Sequence, residues 1–147
     1  MDKTLATSDL FQRIEASFLR QGMMQHLHAQ LLRVEPGLCE ISLPHSDRVT
    51  QQQGGFHGGA MGALADIAGG YAAMTELGPD LDVTTVEYKI NFLASFQGGE
   101  LRAVGRVAKA GKRIIVTTAE VMHVAPDGQQ TVCALMQQTI VPVPKRY

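Results

Sequence analysis

Asp66 is the one acid in an otherwise apolar or small stretch that runs from residue 54 to Thr75 and reads GGFHGGAMGALADIAGGYAAMT. A helix apolar on all sides has to be wrapped by protein. An ionised carboxylate carried into such a setting is costly unless something compensates it, which asks for a use. The turn in front of it, His57-Gly58-Gly59, supplies a complementary half. A helix N-terminus offers unpaired backbone N–H groups at the positive end of the peptide dipole, and glycine lets a foreign oxygen come close. Carboxylate and amide together could attack a carbonyl and hold the oxygen as it turns negative. With a helix starting near Gly58, however, Asp66 lies about 12 Å further along the axis at roughly 1.5 Å per residue. The two can serve one reacting carbon only if Asp66 of one subunit faces Gly58 of another, which predicts a two-fold homodimer. The plainer alternative is an Asp bonded to a neighbouring hydroxyl or amide, with glycines that only permit close packing.

The elements that must position these groups follow from periodicity. Leu10, Phe11, Ile14, Phe18 and Leu19 recur at helical spacing, and Asp9 with Gln12 resembles a capping box, so residues 9–20 read as an amphipathic helix. Residues 24–33 and 38–43 read as strands around the turn Glu35-Pro36-Gly37. The polar linker 45–53 carries Gln51 into the glycine turn, either as a solvated loop residue or as a side-chain amide able to bond a carbonyl or a water. The central helix spans 58–76 and stops at Leu77-Gly78-Pro79-Asp80. Strands follow over 83–93, 101–108, 113–124 and 131–141. Their short turns make consecutive strands antiparallel neighbours, and the tail 142–147 frays. The prediction is one α+β domain over 1–147, a long helix embraced by a curved, mostly antiparallel sheet.

Composition narrows the function classes. In 147 residues, 45% hydrophobic and 18% charged, there is a core's worth of apolar side chains and no block that reads as disordered. A formal net charge of -1 gives no argument for nucleic acid as partner. The polar start MDKTLATSDLFQR lacks a signal peptide's apolar run, which reads as cytoplasmic, and Asp66 at the centre of the apolar stretch argues against a membrane span. Cys39 and Cys133 read as small buried hydrophobes. The five histidines show no zinc spacing, so no metal is expected.

At His57-Gly58-Gly59 followed by Leu64-Ala65-Asp66, and at Lys89-Ile90-Asn91-Phe92-Leu93, the chain resembles the hotdog-fold acyl-CoA thioesterases. The likeness is to the branch of the phenylacetic-acid-pathway (PaaI-like) enzymes and the mammalian superfamily member acting on long-chain acyl-CoA. The resemblance implies that Asp66 activates a water or attacks the thioester carbonyl, while the N–H of the partner's Gly58 polarises that carbonyl. Gln51 falls where relatives hold the carbonyl with an amide, and Thr85 where a serine orients the water. Thr84 takes that place if the strand register slips by one. His57 and Gly59 shape the glycine loop beside the substrate. Lys109, Lys112 and Arg113, at a hairpin like the family's basic one, either meet the coenzyme A phosphates or form a solvated tip. The implied enzyme is a homodimer, in relatives often a homotetramer, whose substrate is an acyl-CoA and which needs no cofactor beyond the coenzyme A that the substrate brings. Two other readings on the same fold are a non-catalytic acyl-CoA binding module and a thioester dehydratase. The latter would need a histidine and an acid at one carbon, and His57 and Asp66 are too far apart along one helix.

Overall fold

In the computed structural model, which describes residues 3–147, the chain runs α1 (Lys3–Phe18), α2 (Gly22–Leu27), β1 (Gln30–Glu35), β2 (Leu38–Pro44), a 3-10 turn, α3 (Gly58–Met74), β3 (Leu81–Phe92), β4 (Glu100–Ala110), β5 (Ile115–Val124) and β6 (Gln130–Pro144). The strands form one antiparallel sheet in the order β1-β2-β4-β5-β6-β3. Helix α3 lies across it and packs against β2 through β6, which is the predicted α+β arrangement. Twelve of its seventeen residues are buried, and the core gathers around Leu64, Ala65, Ala68 and Ala72, facing Ile41, Ala103, Val121 and Met136.

The closest approach is made at Gly105 on β4, where an added Cβ would stand 2.3 Å from the backbone of Ala68. The helix can therefore rest on the sheet with main chain against main chain.

Several elements differ from the sequence reading. The first helix ends at Phe18 and begins before Asp9, so Asp9 and Gln12 lie inside it and form no capping box. Residues 24–33 are not one strand. Met24 and Leu27 are buried at helical spacing in α2, and His28 at φ 61° closes that helix before β1 starts. The central helix ends at Met74, with Thr75 as its C-cap, rather than at residue 76.

Strand β3 does not neighbour β4. Residues 93–99 cross the end of the sheet, anchored where the Phe56 N–H donates to the Phe96 carbonyl at 3.0 Å and where Phe96 stacks on His123 at 4.2 Å. β3 thus pairs with β6 at the far edge.

The tail does not fray over its first part. β6 continues to Pro144, with Pro142 opposite Val83 and Pro144 opposite Leu81. β5 begins at Ile115 opposite Ile140, so beyond that point β6 has a neighbour on one side only, a setting that tolerates proline. Past the strand, the Lys145 N–H donates to the Asp80 carbonyl at 2.9 Å, and Tyr147 packs back onto α1.

Candidate active site

Helix α3 begins where its sequence says it should. His57 is the N-cap, with extended backbone, and its Nδ1 accepts the Gly59 N–H at 2.8 Å. That bond uses one helix-terminal donor and ties the exposed histidine into the turn. The Gly58 N–H, at the first helical position, has no intrahelical acceptor and takes part in none of the turn and cap bonds among the described residues. Gln51 sits in the loop before it. Its main chain closes the glycine turn with Gly54 and Gly55 at 2.9 Å each, and its side-chain Oε1 accepts from the Gln53 N–H.

One strip of α3 is not covered by the sheet. Gly59, Ala63, Asp66 and Ile67 are partly or fully exposed, and so Asp66 is half-buried rather than enclosed as the apolar run suggested. Its carboxylate is nevertheless held tightly. Thr85 Oγ1 donates to Asp66 Oδ1 at 2.7 Å, and the Gln138 amide donates to the same oxygen, to Thr85 Oγ1 at 2.8 Å and to the Asp66 carbonyl at 3.2 Å. Gln138 Oε1 in turn accepts from Thr117 Oγ1 at 2.8 Å. Thr117 and Gln138 are fully buried and sit directly opposite each other on β5 and β6. Gly69 makes the room, since a Cβ there would meet Gln138 Oε1 at 2.1 Å.

Strand β3 reaches Asp66 because of an irregularity. Its register with β6 slips between Thr85 and Glu87, leaving Val86 as the extra residue of a bulge. The slip reverses the alternation, so that Val83 and Thr85 before it and Tyr88 and Phe92 after it all lie over α3. The glycines of the helix mark where the strand comes close. A methyl added to Gly70 would touch Val83, one on Gly62 would meet the Tyr88 hydroxyl at 3.0 Å, and one on Gly58 the Phe92 ring at 3.2 Å. Thr84 is exposed and points away. The hydroxyl beside the acid is therefore that of Thr85.

Asp66, Ile67, Gly70, Tyr71, Val83 and Thr85 line one side of a cavity of about 450 Å³, and Ser17, Arg20, Gln21, Asp82 and Tyr147 the other. Gly58 and Gln51 do not line it. Gln51 borders a separate hollow with Gln53, Gly55, Ser95, Phe96 and Gln97. Within one protomer the sequence-predicted residues thus fall into three places: Asp66 with Thr85, Gly58 with His57, Gly59 and Gln51, and the exposed hairpin tip carrying Lys109, Lys112 and Arg113.

Gln138 and Thr117 were missed, although a signal for them exists. In β6 the inward series Ala134, Met136, Gln138, Ile140 and in β5 the series Ile115, Thr117, Ala119, Val121 each carry one polar residue where the period calls for an apolar one.

No cluster of three or more His, Cys, Asp or Glu side chains that could hold a metal occurs among the described residues. Burial pushes the Cys39 thiol up to about 12 and the Cys133 thiol to about 11, which leaves both protonated and poor nucleophiles. No described helix is long and apolar enough to cross a membrane.

Comparison with known proteins agrees with this fold. The thioesterase superfamily model matches residues 53–127. A protein of Saccharolobus solfataricus provisionally named an esterase is 33% identical over 135 residues, 88% of this chain and 87% of its own. The 1,4-dihydroxy-2-naphthoyl-CoA hydrolase of Listeria monocytogenes is 31% identical over 91 residues, 62% of this chain and 74% of its own. Among solved structures, a thioesterase family protein from Silicibacter pomeroyi superposes with a TM-score of 0.88 at 32% identity, covering 92% of this chain and 99% of that one. A carboxylate braced on a long helix, that helix laid across a six-stranded antiparallel sheet in the hotdog arrangement, and a matched model over half the sequence lead to one assignment: the chain belongs to the thioesterase superfamily.

Proposed function

We propose that the protein hydrolyses an acyl-CoA thioester to the free acid and coenzyme A, in a site completed by two protomers. The observation that carries this reading is Asp66 Oδ1 held by Thr85 and Gln138 at the wall of a cavity large enough for an acyl group. Superfamily membership supplies thioester hydrolysis as the reaction class, and the Listeria relative is by name a hydrolase of a CoA thioester.

In the proposed reaction Asp66 takes the proton of a water that attacks the thioester carbonyl, or attacks the carbonyl itself. The oxygen becomes negative against the N–H of the partner protomer's Gly58, and the tetrahedral species collapses with loss of the coenzyme A thiolate, which is then protonated. Where Asp66 is the nucleophile, the acyl–Asp66 anhydride so formed is cleaved by a water to give the free acid and the regenerated carboxylate. Thr85 and Gln138 keep the carboxylate aimed. The Gln51 amide lies on the glycine-loop side, where it adds a second donor toward the carbonyl. Lys109, Lys112 and Arg113 are exposed cations suited to the coenzyme A phosphates. Water, a base and an oriented N–H suffice for this chemistry, and coenzyme A enters only with the substrate.

Two features support the shared site. β3 is a twelve-residue edge strand with one unpaired side and exposed Val86, Tyr88 and Phe92, a surface that invites pairing with a second copy. The open strip of α3 holds Asp66 itself. Antiparallel pairing of two such edges would bring each Asp66 toward the other protomer's glycine turn. The two free, buried thiols suit a reducing, cytoplasmic setting.

The test is thiol release from a panel of acyl-CoAs by wild type and by Asp66→Asn. The variant is expected to keep its oligomeric state and lose about 10²- to 10⁴-fold in kcat, the usual worth of a positioned acid–base group. Near wild-type turnover in the variant would remove Asp66 from the mechanism, and binding of acyl-CoA by wild type without release of thiol would make the protein a binding module.

A further inference from the structure

The cavity beside Asp66 has a built end. From Asp66 to Tyr71 the axis of α3 advances about 7.5 Å at roughly 1.5 Å per residue, about the length of a single ring or a short chain attached to a carbonyl. At Tyr71 the cavity meets a cluster of hydroxyls. Ser17 Oγ lies 3.1 Å from the Tyr71 hydroxyl and 2.9 Å from the Tyr147 hydroxyl, and the Gln21 amide donates to the Tyr71 oxygen at 2.8 Å. Tyr147 arrives from beyond β6 and is held by Arg20 and Lys145, whose charged ends lie 4.7 and 4.8 Å from its ring centre. Ser17, Tyr71 and Tyr147 all line the cavity.

Counting protons gives the cluster a direction. Three hydroxyls carry three protons, but only two O···O bonds join them, and the Gln21 bond uses the amide's own hydrogen. However the hydroxyls rotate, one O–H is left to donate outside the Ser17–Tyr71–Tyr147 set. Burial pushes the Tyr71 phenol above its usual range, with the Ser17 and Gln21 bonds pulling the other way. Burial, and then a hydrogen bond to Asp82, raise Tyr147 against the pull of Ser17, so both keep their protons at neutral pH and Asp82 is the acceptor that a group on the substrate has to displace. Arg20 and Asp82 line the same end with opposite formal charges, which favours a neutral group over an anion there.

Resting on the hydrolase reading above, we infer that Tyr147, with Ser17 and Tyr71, closes the acyl pocket and selects a compact acyl group that carries a neutral hydrogen-bond acceptor at its far end. Tyr147 sets both length and polarity. Its ring lines the cavity together with Ser17 and Arg20 on one side and Asp82 and Val83 on the other, and its hydroxyl completes the donor cluster. Because its surface is half exposed, replacing it disturbs the pocket and not the core.

The experiment compares kcat/KM for hexanoyl-CoA, 5-oxohexanoyl-CoA and decanoyl-CoA in wild type, Tyr147→Phe and Tyr147→Ala. In parallel, calorimetry measures binding of hexanoate and 5-oxohexanoate to wild type. Wild type is expected to prefer the oxo acyl group by about tenfold, the worth of roughly 1.4 kcal/mol from one hydrogen bond to a buried partner. Tyr147→Phe is expected to shrink that preference severalfold, and Tyr147→Ala to raise decanoyl-CoA turnover relative to hexanoyl-CoA. Turnover with the same relative kcat/KM in all three proteins would overturn the inference and leave the hydrolase standing. Tighter binding of 5-oxohexanoate than of hexanoate, with no turnover of any thioester, would support the pocket and sink the hydrolase. Equal binding of both acids together with no turnover would end both.

Discussion

Gln138 is the side chain on which the geometry of Asp66 turns. It is fully buried, accepts from Thr117, and donates to both Asp66 and Thr85. A buried amide with partners at both ends rigidifies its neighbours, and removing it leaves those partners unpaired. Gln138→Met keeps the volume and takes away the donor and the acceptor. The expected cost is about 1–3 kcal/mol in urea denaturation, with kcat lowered about tenfold to a hundredfold by misplacement of the carboxylate and little change in KM. A variant destabilised to this extent but with unchanged kcat would make Gln138 structural only. Asp66 itself was legible from one property, its being the only acid in an apolar run. Gln138 was legible in principle as a polar break in the period of β6. Thr117 was legible in the same way in β5, but their pairing was not, because only the β5–β6 register puts the two face to face.

On α3 adjacent glycines have opposite meanings. A methyl on Gly70 would meet only Val83, at 3.9 Å, whereas one on Gly69 would stand 2.1 Å from Gln138 Oε1 and 2.7 Å from Thr117 Oγ1. Helix propensity alone favours alanine at both by about 0.5–1 kcal/mol. Gly70→Ala is expected to gain about that much in denaturant midpoint, while Gly69→Ala loses about 1–3 kcal/mol to overpacking. Equal effects at the two sites would show that the Gln138 contact does not constrain the helix. The helix and the strands after it could be placed from period and turn residues. The β3–β6 pairing could not, since the stretch Gln97-Gly98-Gly99 looks like a hairpin turn and serves instead as the end of a crossing. The bulge at Val86 was equally hidden, because a one-residue slip changes which face a side chain takes without changing the sequence pattern on either side of it.

For the whole molecule, the proposed chemistry requires Asp66 of one copy to meet Gly58 of another. Mixing tests it. Asp66→Asn and Gly58→Val each spoil one half of the site. The valine places its branches by the exposed Phe92 ring, whose nearest atom is 3.2 Å from the added Cβ, and the oligomeric state of this variant is checked before mixing. Random exchange of the two inactive proteins would make about half the dimers hybrid, each with one intact site of two, and restore about a quarter of wild-type activity. Co-purification of the untagged variant with an affinity-tagged partner confirms that subunits have exchanged. Exchange without recovery of activity would mean that each site belongs to one protomer.

From the sequence alone came the apolar helix with its single acid, the glycine turn in front of it, and the α+β class, because each depends on local period, capping and the cost of burying charge. The order of the strands, the bulge that turns Thr85 and not Thr84 toward Asp66, the Gln138–Thr117 pair and the docking of Tyr147 against Ser17 were decided by tertiary structure. Each of these joins segments far apart in the chain, and the free energy that selects such a contact is shared between residues that carry no mark of one another when read in order.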